Sequence, residues 1–220
     1  YAQAVSDSSL IGTNSGDSSK NVVFSSLMGF GSGQRANGVN SSVLMGTYAG
    51  QAAQQVVTSN LIGRLSGQEA QNLRSSNYMG EASGAWSAGR YNNFVGTGSG
   101  IGWQGDNNVA LGSSANGLLI YDSVARQYRD RAGNVVTTSG SLAVNNAVAL
   151  GALSLTTVND GVALGSGAIA STAAGQAGYL AAGKTDATWQ ATLAAVSVGG
   201  DDPYDGKNVV NTRQITNVAA

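Results

Sequence analysis

The chain has 220 residues, including 32 glycines and one proline but no cysteine or histidine, and its formal charge is −1. Without Cys or His it lacks the usual ligands of zinc, haem and iron–sulfur sites and the bases of Cys–His or Ser–His–Asp chemistry; without a basic stripe it lacks the footprint of a nucleic-acid binder. The density of Gly, Ser and Asn suggests many turns or disorder, but a hydrophobic content of 42% at near-neutral charge opposes disorder.

In chain order, the first feature is a repeat. Two apolar residues and a glycine recur at Leu10-Ile11-Gly12, Leu27-Met28-Gly29, Leu44-Met45-Gly46, Leu61-Ile62-Gly63, Tyr78-Met79-Gly80 and Phe94-Val95-Gly96, spaced by 17, 17, 17, 17 and 16 residues. A second glycine follows four residues after each, from Gly16 to Gly100. The pattern continues at Gly112, Gly151 and Gly165, the last two 14 apart. Units of 14–17 residues are too short for helix pairs or propeller blades and suit single coils of a β-solenoid, each with two short strands and two turns. Glycine at a fixed phase predicts a turn with positive φ, a close approach of neighbouring coils, or both. About ten coils at roughly 4.8 Å each give a rod of about 50 Å.

Successive strand residues face opposite sides, yet both residues before each glycine are apolar. The interior of a coil accounts for one of these faces. The other needs a partner, and identical coils around a shared axis would supply it, so an oligomer is expected. All three methionines sit in this phase and read as packing residues. The glycine-rich stretches at 29–33 and 96–102 are also in phase with the repeat, lack the Lys-Ser/Thr of a phosphate loop and precede no helix-like segment. They are assigned to turns.

Two segments break the period. Residues 116–140 place β-prone residues on either side of Arg131-Ala132-Gly133-Asn134, a turn sequence, and predict a β-hairpin insert. Arg126, Arg129 and Arg131 accompany Tyr121 and Tyr128, residue types favoured at interfaces. Tyr121, Arg126, Tyr128 and Arg129 are the candidate ligand contacts. The alternative is a hairpin whose arginines pair with Asp122 and Asp130 or with a neighbouring subunit. Residues 171–195 form the second excursion, with Trp189 expected to pack it down. Beyond it, Asp201, Asp202 and Asp205 have carboxylates suited to calcium but not the EF-hand spacing, and Pro203 favours a solvated turn. No catalytic, metal or cofactor residue is nominated; Glu69 and Glu81, the only glutamates, lie at non-equivalent phases.

Val109–Gly112, Val148–Gly151 and Val162–Gly165 each read V-A-L-G, which resembles the head repeat of YadA-like trimeric autotransporter adhesins. Val196-Ser197-Val198-Gly199-Gly200 followed by Arg213 to Ala220 is similar to the neck motif of that family. The resemblance covers about residues 108–220; the first units are longer and carry large residues where the family has Ala. It implies an all-β, left-handed parallel β-roll (β-solenoid), homotrimeric, with a head over 1–195 and a neck over 196–220 leading to a coiled-coil stalk. It also implies display on the outer membrane of a Gram-negative bacterium, through a C-terminal anchor outside this sequence. The expected function is attachment to host extracellular matrix such as collagen or fibronectin, or to cells, with no enzymatic activity and no cofactor; a structural spacer or autoaggregation module is the alternative. The insert before the neck has the place of one common in the family. Ile215 and Val218, three apart, are expected to begin a helical seam at the axis together with Val209, with Arg213 and Asn217 contacting other subunits. Starting at Tyr1 without a signal-like leader, the chain is expected to be an excised soluble piece.

Overall fold

The computed structural model describes residues 3–137, 142–207 and 209–217. It is a parallel β-solenoid. Most coils give one strand to each of two sheets, one of ten strands and one of eight, and the late coils place Leu155–Thr156 and Ile169–Ala170 in a separate two-stranded parallel sheet. The ten-stranded sheet is made from three-residue strands that end just before the repeated glycine, such as Ser26–Met28, Val43–Met45 and Asn60–Ile62. These pair in parallel without slippage: Leu27 with Leu44, Leu44 with Leu61, Tyr78 with Phe94. The eight-stranded sheet contains Lys20–Val23, Asn37–Asn40, Gln54–Val57 and Gln71–Arg74.

The period-2 alternation of a strand separates the two apolar residues of each repeat. The first points inward: Leu27, Leu44, Leu61, Tyr78, Phe94 and Ala110 are fully buried. From the eight-stranded sheet, Val22, Val39, Val56, Leu73 and Trp103 meet them to complete the core. Tyr78 and Phe94 stack with ring centroids 4.9 Å apart. The second residue points outward and is partly exposed, as at Met45, Met79, Val95 and Leu111.

Both causes expected for the repeated glycine are present. Gly46 has φ of +132°, and a Cβ there would lie 2.6 Å from the carbonyl oxygen of Gly63 in the next coil. The same collision recurs from Gly63 onto Gly80 and from Gly80 onto Gly96. Gly38, outside that phase, has φ of +74° and only ordinary contacts around a hypothetical Cβ. A second device closes the opposite corner. The backbone N–H groups of Ser42, Ser59, Ser76 and Asn92 donate to the side-chain oxygen one coil back, of Ser25, Ser42, Ser59 and Ser76, at 3.1–3.2 Å. Asn92 and Asn108 continue this buried spine into the later coils. Short hydroxyl and amide side chains suit this position because they reach local backbone groups that a turn leaves unpaired.

After the first excursion the roll resumes in register, Leu142 pairing with Trp103 and Val148 with Val109. After the second, Val196 pairs with Val162 and Ser197 with Ala163, so V-S-V-G is one more strand of the ten-stranded sheet. The expected helical start is not formed: among the described residues there is no helix, Val210–Asn211 pairs antiparallel with Gly200–Asp201, and residues 212–217 have no regular structure. Val218 lies outside the described residues. Arg213 is used within its own chain, its guanidinium donating to the carbonyls of Ser166 and Val198 and lying over Gly165. That anchors the segment across the last coil as an extended strap, which competes with helix formation there.

Two outcomes are expected. Gly46→Val should destabilise the chain by about 3 kcal/mol or more in denaturant melts, through both strain and collision. Gly38→Val should cost less. Burial pushes the Tyr78 hydroxyl up to about 12 from 10.0. An unfolded tyrosine releases its proton first, so this contribution is intact below pH 10 and is lost as pH rises from about 10 to 12, on the order of 2–3 kcal/mol. Tyr78→Phe should flatten that alkaline loss in melts taken across this range.

Candidate functional site: the insert and the outer faces of the roll

The first excursion is a three-stranded antiparallel meander, one strand more than the predicted hairpin. Leu119–Asp122 pairs with Gln127–Asp130, which pairs with Val135–Val136. The predicted Arg131–Asn134 turn is the second of its two turns. There Asp130 accepts from the backbone and side-chain amides of Asn134 at 2.8 and 2.9 Å, which hold its carboxyl below the ordinary carboxylate range. The first turn, Ser123 to Arg126, is organised by Asp122, which accepts from the backbone N–H groups of Ala125 and Val124.

Alternation along Leu119–Asp122 sends Leu119 and Tyr121 down onto the roll, where they bury Ala82, Ala85 and Ile101. Tyr121 is only 5% exposed. Tyr128 packs between Tyr121 and Trp86, ring centroids 5.0 and 4.4 Å away. Its hydroxyl is buried with no hydrogen-bond partner among the described residues, and burial raises its pKa. Arg64, ion-paired to Glu81, donates to the Tyr121 hydroxyl and lies 5.4 Å from its ring centroid.

The four candidate ligand contacts therefore divide. Tyr121 and Tyr128 face the roll and hold the insert to it, in place of the outward presentation expected from the sequence. Arg126 is exposed at the turn and Arg129 is half-exposed, paired with Asp122 at 3.4 Å and donating to the Gly133 carbonyl. The expected pairing of the insert's arginines with its own acids holds for Arg129 alone.

Arg131 has a role that the sequence did not suggest. Its side chain is 2% exposed and pairs at 2.5 Å with Asp202 of the acidic loop, itself only 12% exposed. It also donates to the carbonyls of Gly117 and Leu153 at 2.9 and 2.7 Å. The contact joins the insert, the last coils and the acidic loop at 201–205 through one guanidinium. Asp202 is therefore committed to an ion pair, and among the described residues no group of three Asp or Glu side chains is placed to hold a metal. The second excursion contains one isolated bridge, Ala177 to Gln190; Trp189 is half-buried with Lys184 3.6 Å over its ring, while Tyr179 is 91% exposed.

The outward face of the ten-stranded sheet carries Ile11, Met28, Met45, Ile62, Met79, Val95, Leu111, Leu150 and Leu164 in one line along the rod. Beside it Asn60, Asn77 and Asn93 form an amide ladder with 2.8 Å hydrogen bonds. The outward face of the eight-stranded sheet carries mostly amides, among them Asn37, Gln54, Gln55, Gln71 and Asn72. One face is apolar and the other polar. No protein-family model matches this chain, and no curated protein matches it at a significant level of similarity.

Removing Asp202 tests the link between the insert and the acidic loop. Asp202→Ala leaves a buried arginine without its anion and should lower stability by about 3–5 kcal/mol. Arg131→Met should cost less, because Asp202 lies at the edge, where water can reach it. Thermal melts of the two variants compare these directly.

Proposed function

We propose that this chain is the head and first part of the neck of a YadA-like trimeric surface adhesin, with no enzymatic role. The observation that carries the reading is the line of outward apolar residues from Ile11 to Leu164. A continuous row of partly or fully exposed Ile, Met, Val and Leu on a sheet face some ten strands long is the kind of contiguous apolar surface that marks an interaction site. Copies of the same chain around a common axis would cover it along its whole length, with each chain presenting the same phase. The number three, the left-handed roll, the coiled-coil stalk beyond the neck and the outer-membrane anchor come from the V-A-L-G and neck resemblance. The parallel solenoid supports the roll itself.

In this reading the apolar sheet faces the axis, and the amide-rich sheet and the two excursions face outward from a bacterial cell. Attachment to collagen, fibronectin or a host cell would use that outer surface, three copies acting together. Arg126 and Arg129 remain the residues of the insert best placed for such contact, and Tyr121 and Tyr128 support them from below. The second reading is a spacer or autoaggregation module, favoured by the uniformity of the coils.

A solid-phase panel of collagen, fibronectin and whole cells separates the two. Saturable binding by the purified head, reduced by Arg126→Ser with Arg129→Ser at an unchanged melting temperature, is expected of the adhesin. Binding to none of the panel, with self-association of the head, would favour the spacer.

A further inference from the structure

The eight-stranded sheet has one irregularity. The coil with Gly80 is followed by the 16-residue step, and the missing residue is lost from this sheet: Ala88–Arg90 has three residues where Gln71–Arg74 has four, so Ala88 pairs with Gln71 and Arg90 with Arg74 across a register shift. On its other side Gly89 lies close against the next coil, where a Cβ would collide with the Gly105 carbonyl oxygen. Outward side chains that are amides in the preceding coils become Ala88, Gly89 and Gly105, and the flank is dented. The dent is a groove of about 500 Å³, continued past Ala88 and Gln104 by a second of about 630 Å³. This is within the size range of small-molecule sites.

The lining is specific. Arg74 and Arg90 are direct cross-strand neighbours, both exposed, and neither guanidinium has an ion pair or side-chain hydrogen bond among the described residues. Like charges at adjacent strand positions repel. The nearby carboxylate, Asp106, accepts the backbone N–H of Arg90 at 2.8 Å. Gln55, Asn72 and Gln104 add amides to the walls, and Asp106 is part of the lining. At the far end stands Trp86, its indole N–H donating to Glu69 at 3.1 Å and its ring partly covered by Tyr128 of the insert, so the anion-binding part of the groove is the end with Arg74 and Arg90.

We propose that this groove binds an acidic oligosaccharide, with Arg74 and Arg90 holding its carboxylate or sulfate groups. Paired guanidinium forks match planar or tetrahedral oxyanions. Amides offer both donors and acceptors to sugar hydroxyls, and the Trp86 ring offers a flat apolar surface to a sugar ring. An acidic peptide fits less well, because the walls have few apolar pockets to hold side chains. The groove lies within one chain on the sheet opposite the apolar face, so it does not require the trimer; the insert touches it only at Trp86, through Tyr128.

Calorimetric titration with a size-defined heparin octasaccharide tests the assignment, with maltooctaose and oligo-glutamate in parallel. The sulfated sugar should bind, and Arg74→Gln and Arg90→Gln should each weaken it roughly tenfold or more, the loss expected for a charged hydrogen bond. Arg35→Gln, a cation elsewhere on the roll, should leave it unchanged. Both groove arginines are exposed, so unchanged melting curves should accompany the loss. Wild-type affinity in the two groove variants, an equal loss in Arg35→Gln, or oligo-glutamate binding as tightly as the sugar would each overturn the proposal.

Discussion

The roll rests on the contact between a backbone carbonyl and the space left by an absent side chain. From Gly12 to Gly151, every glycine of the series has φ between +120° and +133° and turns its Cα toward the next glycine one coil on, so closely that any Cβ would overlap that residue's backbone. That conformation is nearly closed to other residues. Its consequence is register. With the glycines stacked, each three-residue strand has one alignment with its neighbour, and Leu27, Leu44, Leu61, Tyr78 and Phe94 must sit above one another in the core. A one-residue slip would place Met45 inside and Leu44 outside. The Ser and Asn spine at the other corner fixes the second sheet in the same way, through hydrogen bonds in place of close approach.

Once register is fixed, one strand residue must face out for each that faces in. On the eight-stranded sheet the outward residues are mostly amides, arginines and a lysine, with Val23 and Val57 among them, and water solvates the polar majority. On the ten-stranded sheet they are Met, Ile, Val and Leu, and water does not. This asymmetry gives the molecule a direction across its width. The insert respects it, covering Ala82, Ala85 and Ile101 at the side of the roll and leaving the apolar line free. Arg131 then ties the insert to the acidic loop through Asp202, and Arg213 straps residues 212–217 over the last coil, so the segment after residue 200 is set by contacts with the roll.

The period, the two-strand coil and the glycine phase could be read from the sequence because each is a one-dimensional regularity. Strand alternation also showed that the two residues of each apolar pair face opposite sides, but which of them faces the core came from the structure. The inserts could be located, as breaks in the period, but not folded. Tyr121 and Tyr128 looked like interface residues because composition does not show which face of an insert meets the roll. A signal existed: the ladder of Gln34, Gln51 and Gln68 gives way at the same phase to Ala85 and Ile101, an apolar platform awaiting a cover. The Arg131–Asp202 pair, 71 residues apart, left no such trace. Nor did the Arg213 strap, whose carbonyl acceptors belong to the backbone and so have no sequence signature.

The central claim is that the apolar face of the ten-stranded sheet is covered by identical chains. The molar mass of the folded protein by light scattering tests it most directly. The account predicts three times the 22.0 kDa of one chain, reduced toward 22.0 kDa when Met45 and Leu111 are both replaced by glutamate. A folded, fully soluble wild-type chain of 22.0 kDa at micromolar concentration would contradict it.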